Sequence, residues 1–398
     1  MNKLSIDDID LKGKRVLVRV DFNVPLDEYK KITDDKRITA SLPTINKIIN
    51  DGGKAILMSH LGRPKGERKP EFSLEPVAKR LTELISKNVI FSNDCIGNDT
   101  KLIVDNLKNS DVLLLENLRF HKEEEKNDPI FAKALSEFGN VFVNDAFGTA
   151  HRAHASTEGI TKFIFPCVAG YLMKKELDYL GSKLENPLKP YCAILGGAKI
   201  SGKIDVIKNL IGKVDTLIVG GGMAFTFFKA QDKEIGISLL EEDKLELAKE
   251  ILSEIEKSNT KLFLPIDVLM ADKYSNKSAF QIVSIENMPS NQMGLDIGPE
   301  SIKLFSEQIL DSKTIVWNGP MGVFEFKNFS NGTFSIAEAL KLATENGSVT
   351  IVGGGDSAAA IKEAGLDESV SHVSTGGGAS LEFLEGKLLP GVEALTSK

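Results

Sequence analysis

The sequence predicts an α/β protein built from two doubly wound, parallel-sheet domains joined by a long helix and hinge. Three observations support this. Short aliphatic runs recur along all 398 residues, segments of helical periodicity separate them, and most runs end in glycines or polar side chains, as parallel strands do where they turn into their following helices. The length exceeds what one hydrophobic core usually holds, so two or three folding units are expected.

In the first half the runs are RVLVRVDFN (Arg15 to Asn23), KAILMSHLG (Lys54 to Gly62), DVLLLENLRF (Asp111 to Phe120) and VFVNDAFG (Val141 to Gly148). LEPVAKRLTELI (Leu74 to Ile85) and DPIFAKALSEFG (Asp128 to Gly139) between them carry helical spacing. Polar residues follow each strand: Asp21 and Asn23 the first, His60 and Arg63 the second, Asn117 and Arg119 the third, and Asn144, Asp145, His151 and Arg152 the fourth. The carboxyl ends of parallel strands share one edge, where ligands bind. Guanidinium and imidazole groups gathered there make a basic pocket for a small polyanion, and Asp21 and Asn23 suit a hydroxyl on the same ligand.

All eight arginines lie before residue 153 although lysine runs throughout. A guanidinium offers a planar fork that grips phosphate or carboxylate bidentately, so the bias suits an anion site in the first half; chance or codon usage in a lysine-rich chain is the competing explanation. Arg19, inside a strand, is expected to form a structural ion pair, and Arg15, Arg68 and Arg80 to be solvated surface charges. His121 and His154 read equally as packing residues or ligands. Arg37, in the charged stretch DDKRI, reads by position as a surface residue in a loop.

Next, GYLMKKELDYLGSKLENP (Gly170 to Pro187) spaces Leu172, Leu177, Leu180 and Leu184 as one amphipathic helix. It marks a boundary between an N-terminal domain, 1–170, and a C-terminal domain, 188–382, with 171–187 as connector.

The second half has a different chemistry. YCAILGG (Tyr191 to Gly197), TLIVGGG (Thr216 to Gly222), SVTIVGGGDSAAAIKEAG (Ser348 to Gly365) and SHVSTGGG (Ser371 to Gly378) each place glycines after an apolar run. Bare backbone amides and a helix N-terminus make an anion cradle, and four such loops on one sheet edge suit a nucleotide, with Gly353, Gly354, Gly355 and Ser357 at its centre and Gly376 and Gly377 beside it. Ordinary turn chemistry explains any one loop alone. LGGAKISGKI contains G-x-x-x-x-G-K from Gly197, but Ile204 stands where a P-loop needs a metal-binding hydroxyl. Lys199 and Lys203 nevertheless sit where they reach phosphate. Gly353, Gly355 and Ala358 fit the dinucleotide fingerprint, yet the next strand ends in Ser374 and Thr375 without the required acid. Asp356 fits magnesium on a nucleotide better. Glu325, after TIVWNGPMGVF, is either an acceptor for ribose hydroxyls or a helix N-terminal acid; Trp317 reads as core.

Composition narrows the partners. A net charge of −7 excludes general binding to nucleic acid or anionic lipid. Cys95, Cys167 and Cys192 have spacings that suggest neither a disulfide frame nor a zinc site. The acidic N-terminal stretch and the glycine-broken apolar runs read as a cytoplasmic chain without export signal or membrane span.

Eight segments in order resemble the phosphoglycerate kinase family: VLVRVDFNVP, SHLGRPKG, ENLRFHKEEE, NDAFGTAHRAHAS, LGGAKISGKI, VWNGPMGVFE, VGGGDSAAA and STGGGASLEFLEGKLLPG. The resemblance implies a monomeric, two-lobed, hinge-bending glycolytic enzyme that moves a phosphoryl group reversibly between 1,3-bisphosphoglycerate and magnesium ADP. It implies that Asp21, Asn23, Arg37, His60, Arg63, Arg119 and Arg152 bind 3-phosphoglycerate, which promotes Arg37 from surface residue to a contact on the phosphoryl group in transit. Lys199, Gly376 and Gly377 serve the same group, Lys203, Gly294, Glu325 and Gly353 to Ser357 hold ADP or ATP, and Asp356 holds Mg2+. The segment 383–398 resembles the family's return to the N-terminal domain. Gly202 departs from the pattern, where an acid is expected, and leaves both lysines in register. A non-catalytic nucleotide sensor and a nicotinamide-dependent dehydrogenase are the rival readings.

Overall fold

A computed structural model describes residues 2–398. The strands are β1 (Arg15–Arg19), β2 (Lys54–Met58), β3 (Val89–Phe91), β4 (Val112–Leu114), β5 (Val141–Asn144), β6 (Cys167–Ala169), β7 (Tyr191–Leu195), β8 (Thr216–Val219), β9 (Lys261–Phe263), β10 (Asp267–Ala271), β11 (Phe280–Ser284), β12 (Met293–Ile297), β13 (Thr314–Asn318), β14 (Val349–Gly353) and β15 (His372–Val373). Contacts divide the chain into two compact units: one runs to Asp178 and takes in Leu388–Lys398, the other is Tyr179–Lys387.

In the first unit six parallel strands lie in the order β3-β4-β2-β1-β5-β6. Val18 pairs with Leu57 on one side and Val143 on the other. Central strands covered on both faces must be apolar throughout, and in β1 every residue after Arg15 is buried. The strand order reverses beside β1, so the loops after β1, β2, β4 and β5 border the crevice that such a reversal creates. The final residues close this unit: Asn144 Nδ2 donates to the Gly391 carbonyl at 3.0 Å, and the Thr396 amide donates to that of Cys167 at 2.8 Å.

The second unit repeats the plan with β15-β14-β13-β7-β8-β9, again parallel, reversing between β7 and β13. Trp317, fully buried, belongs to its core and donates Nε1–H to the Gly319 carbonyl at 2.7 Å. A second sheet of three antiparallel strands, β11-β10-β12, belongs to this unit and was not anticipated.

Two local expectations change. Arg37 is not in a loop: it sits in the first turn of the helix Lys36–Asn50, whose Ile38, Ser41, Ile45 and Ile48 are buried on one face. Pro43, inside that helix, removes an amide donor and masks the periodicity. The segment expected as one α-helix after Gly170 is helical but not uniform, with α-helix at Tyr171–Glu176, π-helix at Leu177–Ser182 and α-helix again at Lys183–Glu185. The division between the units falls inside it.

Candidate functional site

Each unit presents a site at the carboxyl edge of its parallel sheet. In the first unit the histidine and arginines expected there cluster. His60 is 4% exposed, and its basicity is held well below the usual imidazole range, first by burial and then by the fields of Arg19, Arg119, Arg37 and Arg152. Arg119 lies in turn within the fields of Arg152 and Arg63. These guanidinium groups repel one another, so the cluster gains most when a polyanion enters it.

Arg19 organises the floor. It is 1% exposed, and the ion pair expected from sequence is not direct: the field of Glu124 reaches Arg19, and Ser156 bridges the two. Its Nε donates to Ser156 Oγ at 2.9 Å, Nη1 donates to the Val20 carbonyl, and Nη2 lies 3.1 Å from His60 Nδ1. Ser156 passes the contact on, donating Oγ–H at 2.5 Å and N–H at 3.0 Å to the buried Glu124. Arginine can only donate, so Nδ1 of His60 must accept. Neutral His60 then carries its proton on Nε2, the free edge of the ring.

Around this floor the groups differ in freedom. Arg119, 4% exposed, donates Nη1–H to the Gly62 carbonyl at 2.9 Å and pairs through Nε with Glu125 at 3.3 Å. Arg63 and Arg152 are exposed; Arg152 Nε lies 3.1 Å from His151 Nε2. Arg37 pairs with Asp21 Oδ2 at 2.6 Å, and Asn23 accepts the Gly62 amide at 2.9 Å. Three other strand-end residues serve the framework. Asn117 bridges Leu61, Phe72 and Arg119, Asn144 ties the C-terminal segment, and Asp145 accepts the amides of Leu172 and Met173 at the start of the helix Tyr171–Glu176. Arg15, Arg68 and Arg80 form half-exposed ion pairs. His154 stays beside Glu124, 3.9 Å away, its pKa lowered to about 4 chiefly by burial.

In the second unit a cavity of about 390 Å3 opens at the strand-order reversal, a size that suits a small-molecule ligand. Gly197, Gly221, Gly294, Glu325 and Asp356 line it. Its walls include Phe225, Leu239 and Met321, apolar residues that no sequence signal separates from core. Close approach of a backbone carbonyl at one position and of an aromatic ring at the other explains two glycines here. A Cβ at Gly196 would stand 2.2 Å from the Pro320 carbonyl oxygen, and one at Gly294 would stand 2.0 Å from the Phe225 ring. Asp296, also lining the cavity, accepts the Gly332 and Ile297 amides, and burial raises its carboxyl to about 7.

The triple-glycine turn after β14 places Gly354 at φ +87° as the N-cap of the helix Gly355–Glu363, with no capping side chain. Asp356 is exposed in the first turn. Ser380 Oγ ties this loop to the one after β15, accepting from Gly354 N–H at 3.3 Å and donating to the Gly377 carbonyl at 2.8 Å. Ser357 is fully buried, its hydroxyl accepting the Gly319 amide at 2.5 Å, so its side chain holds the neighbouring turn. Lys203, within the fields of Asp356 and Glu385, has its ammonium pKa lowered to about 8 by burial. Lys199 is exposed; of the residues expected to hold nucleotide, Gly294, Glu325 and Asp356 line the cavity, whereas Lys199, Lys203, Gly353, Gly354, Gly355, Ser357, Gly376 and Gly377 lie outside its lining. Sequence reasoning passed over Asn318, 2% exposed at the end of β13 with Nδ2 unpartnered, where a Cβ on Gly354 would stand 3.0 Å from it.

A basic cluster on one doubly wound sheet and a glycine-walled cavity on another define the class: an α/β protein equipped to handle phosphorylated small molecules. The family model for phosphoglycerate kinase matches residues 6–387. The phosphoglycerate kinase of Chloroherpeton thalassium is 59% identical over 397 residues, covering 100% of both chains. Among solved structures, phosphoglycerate kinase from Coxiella burnetii superposes with a TM-score of 0.90 at 42% identity, and that from Pyrococcus horikoshii OT3 with 0.83 at 31%, each comparison covering 98% of both chains. The chain belongs to the phosphoglycerate kinase family.

Proposed function

We propose that this chain catalyses reversible phosphoryl transfer between 1,3-bisphosphoglycerate and ADP, giving 3-phosphoglycerate and ATP, as a glycolytic kinase. The observation that carries the reading is the presence, in one chain of this family, of the His60–arginine cluster and the glycine-walled cavity. Asp21, Asn23, His60, Arg63, Arg119 and Arg152 hold 3-phosphoglycerate: the guanidinium groups take its phosphate and carboxylate, and His60 Nε2–H donates from below. Lys203, Gly294, Glu325 and the Gly353–Ser357 loop hold the nucleotide.

Phosphoryl transfer through a loose transition state asks for alignment and charge stabilisation rather than a covalent nucleophile. Arg37, Lys199 and the amides of Gly376 and Gly377 supply that charge. No general base is needed, because the accepting oxygens on 3-phosphoglycerate and on ADP are already ionised. The exposed carboxylate of Asp356 on the cavity wall fits magnesium; when bound, the ion supplies charge neutralisation at the phosphate oxygens.

Turnover of 3-phosphoglycerate with ATP in a coupled assay tests the reaction; nucleotide binding without turnover would mark a sensor instead. The chain works as a cytoplasmic monomer, and no helix among its described residues is long and apolar enough to cross a membrane. Both substrates together drive closure about the hinge and exclude water. Solution scattering gives mass and radius of gyration at once, and a dimer mass or an unchanged radius with both ligands would count against these points.

Lys203 makes nucleotide affinity depend on pH. Below about 8 its ammonium is present and pairs with phosphate; as pH rises through that value the charge is lost. ADP affinity should therefore fall by up to about tenfold per pH unit above it. Lys203→Arg, always protonated, should flatten the profile; an identical profile in the variant would remove Lys203 from phosphate binding.

A further inference from the structure

Outside both sites, the loops after the paired strands β3 and β4 bring Asp94, Cys95 and His121 together. One carboxylate oxygen, the thiol sulfur and one ring nitrogen lie within 4.8 Å of one another. We propose that this cluster is a zinc site with three protein ligands and a fourth position open to water.

The donor set selects the metal. Thiolate, imidazole and carboxylate together suit borderline-soft Zn2+, whereas magnesium and calcium prefer oxygen alone. Spacing concealed the site: Cys95 lies far from either other cysteine, and 25 residues separate it from His121. The local structure already orients the donors. Asp94 Oδ1 accepts the Cys95 amide at 2.7 Å and lies 2.8 Å from His121 Nε2, so metal entry replaces one hydrogen bond between two ligands. The Phe131 ring lies against the His121 imidazole, centroids 5.2 Å apart, which restrains its rotation. The Asp94 carbonyl accepts from Thr100 Oγ1 at 3.1 Å, anchoring the loop. Cys95 is fully buried, while the side chains of Asp94 and His121 are 48% and 25% exposed, leaving an entry path. Burial first, and the fields of Asp94, Glu124 and Glu116 after it, push the Cys95 thiol well above its usual range, so metal entry has to displace the thiol proton. Binding converts the thiol to thiolate and releases its proton to solvent.

The test is anaerobic titration of the tag-free, metal-stripped full chain with Co2+ and then Zn2+. The expected result is one equivalent of cobalt with thiolate-to-metal charge-transfer absorption, bleached by zinc, and release of a proton per metal. Cys95→Ser should abolish that absorption although Cys167 and Cys192 remain. His121→Gln should weaken cobalt binding at least about tenfold, and it supplies the answer should Cys95→Ser fold poorly. No charge-transfer band in the wild type, an unchanged band in Cys95→Ser, or undiminished affinity in His121→Gln would each overturn the proposal.

Discussion

Replacing Arg37 with alanine should lower kcat about a thousandfold while leaving KM for both substrates within a few-fold, a barrier increase of about 4 kcal/mol. The reason is placement. Arg37 projects from the first turn of a helix, its side chain 42% exposed, and its one ion-pair partner among the described residues is Asp21 at 2.6 Å. Unlike Arg119, which the Gly62 carbonyl and Glu125 hold in place, it is free to swing onto charge that develops only during transfer. An interaction made only in the transition state lowers kcat and kcat/KM together when removed. Lys199→Ala should act in the same direction, and Arg37→Lys should not restore the rate, because an ammonium cannot reproduce the planar fork. Steady-state kinetics decides: unchanged kcat with raised KM would make Arg37 a ground-state ligand.

Arg19→Met should cost the first unit about 3–5 kcal/mol, since removing one member of a buried charge network leaves the other uncompensated. The survivor is Glu124, fully buried, its carboxyl raised above the usual range by burial and drawn back by Arg19 and by Ser156. Without Arg19 its pKa rises further. A raised carboxyl pKa means that the native state binds the extra proton, so the deficit should shrink as pH falls and be greatest above that pKa. Glu124→Gln in the Arg19→Met background should recover part of the loss. Hydrogen exchange of the β1 and β2 amides isolates the effect, because Trp317 reports only the other unit and two units need not unfold together. Protection equal to wild type would show that Arg19 is dispensable to the fold. His60 should lose its fixed tautomer in the same variant, making Arg19 a positioning residue for the anion cluster.

Much of this was legible because the site's chemistry is carried by strand ends. Arg63, Arg119, Arg152 and His60 each follow an unmistakable aliphatic run, and parallel topology alone brings such positions to one edge. Where reading failed, the missing information was long-range. Arg19 looks like half of an ion pair, but its partners Ser156 and His60 stand far from it in sequence. Arg37 lies in a helix that Pro43 hides. Asn144 and Ser357 sit in polar sequence contexts, and the long-range fold alone has their side chains tie backbone, at Gly391 and Gly319. The antiparallel sheet of β10, β11 and β12 went unseen for the same reason, since β11 is largely exposed and has no apolar run. The cluster of Asp94, Cys95 and His121 likewise joins residues that no local pattern connects.

Calorimetric titration of the double variant Arg63→Ala/Arg152→Ala with 3-phosphoglycerate and, separately, with magnesium ADP tests most directly whether acid and nucleotide have separate sites. Loss of the 3-phosphoglycerate heat with ADP affinity unchanged is the predicted result. Retained 3-phosphoglycerate binding, or an equal loss of both ligands, would contradict it.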